Sequence, residues 1–152
     1  MSTQRNLRLA QRWFHELWSK PDLDVADEIV DPDYAPDWIG IEAQGPDQVK
    51  HEIRYFRSIF PDLRYDIIDM IAADDRVWVR YRGTGTQHGE AWGFEATGRE
   101  VEFEGATILY ISPEGRIVDR WGAFSFYDIL ADLGLVPPLS VLSESLRRPD
   151  RE

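Results

Sequence analysis

Residues 101–121, VEFEGATILYISPEGRIVDRW, contain the pattern from which the class of fold is predicted. Val101-Glu102-Phe103-Glu104 alternates apolar and acidic side chains, and β-favouring residues continue to Ile111, so a long strand is predicted here. Ser112-Pro113-Glu114-Gly115 has the residue types of a hairpin turn, and a further strand is predicted from Arg116 to about Phe126. The stretch therefore predicts two long antiparallel strands joined by a tight turn.

Two more predicted strands precede this hairpin, and helices precede those. Leu63 to about Ile71 and Val77 to Arg82 alternate with a period of two. Before them, apolar residues recur at the spacing of a helix in three segments. These predicted helices end at Pro21, at Asp31-Pro32-Asp33 and at Pro61. A short helix, Tyr127 to Leu133, follows the last strand. This order predicts an α+β class, in which helices cover the concave face of a curved antiparallel sheet and leave a central pocket.

The composition limits the classes of function. A net charge of −11 opposes binding to a nucleic-acid backbone, and no apolar run approaches the roughly 18 residues of a membrane span. Without cysteine, disulfides and thiolate zinc sites are excluded, which is typical of a cytoplasmic protein. Six Trp, seven Phe and six Tyr suit either a packed core or a pocket for an apolar or aromatic small molecule.

Four blocks of motifs keep a fixed order along the chain. They are Trp13-Phe14-His15-Glu16-Leu17-Trp18 with Pro21-Asp22-Leu23-Asp24, Phe60-Pro61-Asp62-Leu63, Gly85-Thr86-Gln87-His88-Gly89 through Thr97-Gly98-Arg99, and Gly115-Arg116-Ile117-Val118-Asp119-Arg120-Trp121 with Leu133-Gly134. Together they resemble the SnoaL-like polyketide cyclases of the nuclear transport factor 2-like superfamily. The resemblance predicts a SnoaL-like domain over residues 1–134 and a C-terminal extension over 135–152.

The resemblance implies a cone-shaped α+β half-barrel with a deep pocket, in a homodimer formed through the sheets. It implies a polyketide-like or terpenoid-like substrate and no metal or organic cofactor. The cyclases of this family close a carbocyclic ring by an intramolecular aldol step, in which a carboxylate removes a proton alpha to a carbonyl. An apolar pocket raises the pKa of a carboxyl group, which makes it a competent base near neutral pH.

The chain departs from the family pattern at the chemical positions. The cyclase aspartate corresponds to Ser125, the histidine of the central block to Gln87, and the histidine before Trp121 to Arg120. A serine hydroxyl cannot replace an aspartate as a base. Ser125 and Gln87 can still hydrogen-bond a ligand carbonyl or hydroxyl, and Ser125 stays a catalytic candidate on position alone.

Two further residues are catalytic candidates, each with a simpler alternative. His88 carries an imidazole, the commonest general base, but it is one residue late in the motif and is otherwise a solvated loop histidine. Glu104 would be a base if its side of the strand lined the pocket; otherwise it is a surface partner of Arg80 or Arg82. Six aromatic residues are expected either to contact the ligand or to pack in the core: Trp13, Trp38, Phe56, Phe60, Trp92 and Trp121.

The sequence therefore predicts a cofactor-independent enzyme for an aromatic or polycyclic polyketide-like molecule. The reaction is an intramolecular aldol cyclisation or a related proton-transfer or hydroxylation step. The alternative is a non-catalytic domain of the same fold that binds a small molecule or a partner, and the replaced family aspartate and histidine favour it.

Overall fold

The structure is a computed structural model that describes residues 2–36 and 42–145 of the chain. Its first helix, α1, continues directly into a π-helical segment. The helices before the sheet are α1 (Thr3–Gln11) with the π-helical segment (Arg12–Ser19), α2 (Asp24–Ile29) and α3 (Pro46–Ile59). The sheet and the last helices are β1 (Arg64–Ala73), β2 (Arg76–Thr86), β3 (Glu100–Ile111), β4 (Ile117–Phe124), α4 (Phe126–Asp132) and α5 (Leu139–Ser145). The predicted α+β class is confirmed.

The strands form one antiparallel sheet in the order β1-β2-β3-β4. The predicted hairpin between β3 and β4 is present, with Gly105 opposite Phe124 near its open end. β-bulges interrupt the register of β1 between Ile67 and Asp69, and that of the β3–β4 pair beside Ile111. Because a bulge increases the local twist and bends its strand, these irregularities help to curve the sheet around the helices.

The helix ends follow the predicted signals. Ser2 caps α1, since its Oγ accepts a hydrogen bond from the Arg5 N–H at 3.2 Å. Gly134, with a φ of +75°, follows α4 in the left-handed conformation that glycine adopts without strain. The π-helical segment was not predicted. At its end, Ser19 Oγ donates to the Phe14 carbonyl at 2.7 Å and accepts from the Tyr65 N–H at 2.9 Å, which fastens this helix to β1.

The core lies between the helices and the concave face of the sheet. Alternate strand residues point into it, as the period of two predicts. Buried members of the strands include Val77, Val79, Val101, Phe103 and Leu109, and those of the helices include Ala10, Leu17, Ala26, Val49 and Ile53. Within the described ranges, every helix is too short or too polar to span a bilayer.

Candidate active site

A cavity of about 660 Å³, its mouth included, opens between the helices and the concave face of the sheet. Most of this volume is open solvent or gaps between atoms, and only about 50 Å³ of it can hold the centre of a water-sized sphere, so the aromatic side chains largely fill the space. The wall is mostly aromatic and includes Trp13, Phe14, Trp18, Phe56, Phe60, Tyr65, Tyr81, Trp92, Phe103 and Phe124. The structure thus brings four of the predicted ligand contacts, Trp13, Phe56, Phe60 and Trp92, to one cavity.

The rings of this wall fix one another. Tyr65 meets Tyr81 edge to face, with centroids 5.0 Å apart and planes at 90°, and Tyr65 meets Phe103 in the same way at 6.2 Å. At another part of the wall, Trp92 stands edge to face on Phe126 at 4.9 Å. Such pairs are the preferred geometry of aromatic rings. The cavity therefore offers a flat, apolar ligand rigid ring faces.

A cationic side chain, Arg120, also lines this cavity. Its Nη2 lies 3.5 Å from Oε2 of Glu52, a carboxylate that is fully buried. The Tyr34 hydroxyl donates to the same oxygen at 3.4 Å, and Gln48 Nε2 donates to the other oxygen at 3.3 Å. These four side chains form what we call the Arg120 cluster: Tyr34, Gln48, Glu52 and Arg120.

Burial dominates the electrostatics of the Arg120 cluster. It raises the pKa of Glu52 above its ordinary range, and the positive charge of Arg120 and the two hydrogen bonds only partly oppose this. An ion pair at 3.5 Å returns less free energy than the full desolvation of a carboxylate costs, so the pKa stays raised. Burial also raises the pKa of the Tyr34 hydroxyl, which therefore stays protonated, and that of Tyr81 to about 12. Arg120 remains charged.

Arg120 points into the cavity because of the bulge in the β3–β4 pair. Ile111 pairs with Ile117 and Tyr110 with Asp119, so Val118 is an extra residue without a partner in the register. One extra residue in a strand moves every later side chain to the opposite face of the sheet. Arg120 consequently faces inward, whereas without the bulge its neighbour Trp121 would do so.

The three predicted catalytic residues lie away from the cavity, and their placement corrects the expectation. His88 is exposed in the loop after β2. Glu104 lies on the convex face of the sheet, where it forms an ion pair with Arg80 at 3.0 Å, the alternative that the sequence left open. Ser125 Oγ donates to the Glu104 carbonyl at 3.3 Å, beside a shallow depression on that convex face. The sheet itself separates Glu104 and Ser125 from the cavity.

Three predicted ligand contacts remain. Trp121 is 54% exposed on the convex face, so its expected place in the wall is corrected, and the bulge at Val118 is the reason. Gln87 is fully buried, but its side chain is occupied within its own loop, since Nε2 donates to the Gly89 carbonyl at 3.1 Å and Oε1 accepts from the Thr97 hydroxyl at 2.8 Å. Trp38 lies outside the described residues.

Sequence reasoning missed the roles of Tyr34, Gln48 and Glu52. A usable signal was present, because Gln48 and Glu52 are four residues apart beside the apolar stripe that begins at Val49. Polar residues at that spacing on the inward edge of a helix need partners in the interior. Arg120 was noticed only as a replaced histidine, since strand alternation alone assigned it to the outside.

The profile of the SnoaL-like polyketide cyclases matches residues 8–133. The chain belongs to this family. No sequence among the curated proteins matches this SnoaL-like chain.

Solved structures resemble the SnoaL-like chain over most of its length. TsrD from Streptomyces laurentii is 20% identical with a TM-score of 0.81, and the match covers 90% of this chain and 99% of TsrD. AclR, a proposed hydroxylase from Streptomyces galilaeus, is 27% identical with a TM-score of 0.77, covering 95% and 91%. An epoxide hydrolase from M. tuberculosis is 17% identical with a TM-score of 0.65, covering 94% and 98%. Proteins that are named for different reactions therefore share one fold, so the fold alone does not assign the reaction of this chain.

Proposed function

We propose that this SnoaL-like chain is an enzyme that acts on an aromatic or polycyclic polyketide-like small molecule without a metal or organic cofactor. The observation that supports this is the aromatic cavity with the largely buried guanidinium of Arg120 in its wall. The edge-to-face rings of the wall suit contact with a flat aromatic ligand. An apolar surround strengthens the interaction of Arg120 with any negative charge that develops on the ligand.

The proposed reaction is an intramolecular aldol cyclisation or a related proton-transfer or hydroxylation step. In each of these, negative charge develops on a carbonyl oxygen or on the conjugated system next to it. A guanidinium that is already in place stabilises such charge without reorganisation of solvent. Membership of the family and the AclR resemblance support this class of reaction.

A second candidate is a domain that binds the same ligand without changing it. The observation in its favour is that His88, Glu104 and Ser125, the predicted catalytic residues, all lie away from the cavity. A turnover measurement separates the two candidates, because both predict binding and only the first predicts a product.

Cavity filling tests the proposal. A Cβ added at Gly122, which lines the cavity, would lie 3.5 Å from Thr107 Oγ1, an ordinary contact, so Gly122→Val should fold. Aromatic polyphenols should quench the tryptophan fluorescence of the wild type, and mass spectrometry should detect a product of a polyketide mimic. Gly122→Val should weaken binding at least about tenfold, by occlusion. The control Thr84→Val, on the convex face of β2, should bind normally; equal binding by wild type and Gly122→Val would refute the assignment.

We also propose a homodimer that pairs the convex faces of two sheets. Ile71, Trp78, Ile108 and Trp121 lie directly opposite one another across the four strands, in one row. Trp78 is 51% exposed and Trp121 54%, so the row is an apolar stripe on the surface. Ion pairs lie on the same face of the sheet, such as that of Arg82 with Glu102 at 2.9 Å, so both positive and negative side chains flank the row. A stripe with both charges at its side can complement its own two-fold copy.

Sedimentation of Trp78→Glu tests this dimer. Half of a tryptophan surface is roughly 100 Å². The two substitutions in a dimer would together remove about 5 kcal/mol of apolar stabilisation. This loss should raise the dissociation constant of the dimer by more than about a thousandfold. Tyr55→Glu, which changes a half-exposed aromatic residue on α3, is the control and should stay dimeric. A wild type that is monomeric at about 100 µM would refute the proposal.

Two sequence predictions stay predictions. One is the cytoplasmic location. The other is the division into a domain over residues 1–134 and an extension over 135–152. The extension contains α5, whose Leu139 and Val141 are exposed.

A further inference from the structure

The aromatic side chains of the wall leave little free space inside the cavity. A molecule of several rings can therefore enter only after part of the wall has moved. Protein interiors are closely packed, so a side chain that is enclosed on all sides moves less readily than one that meets solvent. The moving part of the wall is expected at its least enclosed ring.

That ring is the indole of Trp92. Its residue is 37% exposed, whereas the other aromatic residues of the wall are buried or half-buried. Trp13 and Phe60, for comparison, are almost completely buried. Trp92 thus lines the cavity and meets solvent at the same time, which places it at the mouth.

The backbone at Trp92 is in an unusual conformation for so large a residue. Trp92 and Gly93 are the two central residues of a tight hairpin turn, in which the N–H groups of Ala91 and Phe94 donate to each other's carbonyls at 2.9 and 2.7 Å. Their φ angles are +49° and +82°, and two positive values in succession are the signature of a type I′ turn. Asn, Asp and Gly are the usual residues at the first of these positions, whereas a bulky side chain there is strained.

A ring contact opposes this strain. The indole of Trp92 stands edge to face on Phe126, with the centroids 4.9 Å apart. The gain from such an aromatic pair is of the same order as the cost of one left-handed residue. A turn that relaxed would lose the contact and release the strain together. The conformation with Trp92 in the wall is therefore only slightly favoured over one with Trp92 outside it.

The base of the loop is fastened much more firmly than the turn. The N–H groups of His88 and Gly89 both donate to the carbonyl of Ile59 at the end of α3, at 3.0 and 3.2 Å. On the other side of the turn, Gln87 Nε2 donates to the Glu95 carbonyl at 3.3 Å. Movement is thereby confined to the few residues between these two attachments, which include the strained turn.

We propose that Trp92 is the gate of the cavity: the turn over residues 91–94 swings the indole out of the wall to admit a ligand and returns it over the bound molecule. This rests on the proposed function, since it takes the cavity to be the ligand site. Trp92 is a residue that controls entry and exit. Phe126 is its latch, because the contact with Phe126 holds the indole in the closed position.

Fluorine NMR of the protein that contains 5-fluorotryptophan tests the motion without any ligand. Trp92→Asn identifies the Trp92 resonance by its loss. In the wild type this resonance should show exchange broadening on the microsecond-to-millisecond timescale that is usual for such loops, and that of the buried Trp13 should not. Phe126→Ala should shift the Trp92 resonance toward the open position, because the latch is removed.

Stopped-flow fluorescence with alizarin, a flat three-ring phenol, tests the effect on binding. Asn adopts a positive φ readily, so Trp92→Asn should fold with its turn intact. Its association rate constant should rise at least about fivefold, since association with the wild type waits for the open fraction. Its dissociation rate constant should rise as well, because nothing closes over the ligand. The control is Phe94→Ala, which removes a 40% exposed ring of the same turn and should keep the wild-type rates.

Two outcomes overturn the gate and leave the proposed function intact. One is a sharp Trp92 resonance that Phe126→Ala does not move. The other is a Trp92→Asn variant that binds alizarin with an association rate constant equal to or below that of the wild type, which would make the indole a fixed part of the wall. The proposed function fails in a different way: the wild type would bind none of the ring compounds although the Trp92 resonance still showed exchange, which would keep the motion and remove its ligand.

Discussion

Gln87 is expected to hold the loop that carries Trp92 to the cavity. Its Nε2 donates to the carbonyls of Gly89 and Glu95, at 3.1 and 3.3 Å. Its Oε1 accepts from the N–H and the hydroxyl of Thr97, at 3.1 and 2.8 Å. All four hydrogen-bonding positions of the amide are thus used, and every partner lies in the loop between β2 and β3.

Gln87→Leu keeps the volume of the side chain and removes all four of these bonds. At about 1 kcal/mol of net stability each, the upper bound is roughly 4 kcal/mol. Water replaces part of this loss, because Glu95 is exposed and Thr97 is half-buried. We therefore expect the free energy of unfolding in urea to fall by about 2–3 kcal/mol. Amide hydrogen exchange at Thr97 should accelerate, and ligand binding should weaken because Trp92 leaves the wall.

Two other variants calibrate this experiment. Gln4→Leu, on the exposed side of α1, should change the free energy of unfolding by less than about 0.5 kcal/mol. Gln87→His supplies one donor and one acceptor, so its loss should be intermediate. The reasoning is refuted if Gln87→Leu unfolds at the same urea concentration as the wild type, or if ligand binding weakens without faster exchange in the loop.

Three further predictions concern the sheet and its edges. Gly83→Ala should lose about 1–3 kcal/mol in urea unfolding, because its Cβ would overlap the ring of the buried Phe103 at Cζ, whereas Gly122→Ala should be nearly neutral. Glu104→Gln should leave the urea midpoint and ligand binding nearly unchanged, since the ion pair with Arg80 is exposed; a loss of turnover would restore Glu104 as a catalytic residue. Asp62 is the third case: burial opposes its ionisation, but hydrogen bonds from the Thr86 N–H and hydroxyl outweigh this and lower the pKa of Asp62. The stability that ionised Asp62 adds to the folded state is therefore fully present above the ordinary pKa of about 3.9, and it is lost as the pH falls through the lower pKa of the folded state. The urea midpoints of the wild type and Asp62→Asn should consequently converge in acid.

The sequence predicted the fold more completely than it predicted the residues of the site. Strand alternation and helix stop signals predicted the sheet order and the ends of most elements, because both depend on local chemistry. The π-helical segment was missed because its apolar residues, such as Trp13 and Leu17, fit an ordinary helix equally well. Glu52 was missed because a buried carboxylate depends on a partner, Arg120, that is 68 positions away in the chain.

One extra residue links the cavity to the convex face. Val118 has no partner in the β3–β4 register, so the strand exchanges its faces there. Had the strand been regular, Trp121 would point into the cavity, as strand alternation predicted, and Arg120 toward solvent. The bulge instead gives the cavity a cation and the convex face a tryptophan. A cation in the cavity wall and an exposed tryptophan on the convex face are therefore two consequences of the same irregularity, so a change that restored the regular register would alter both faces of the sheet at once.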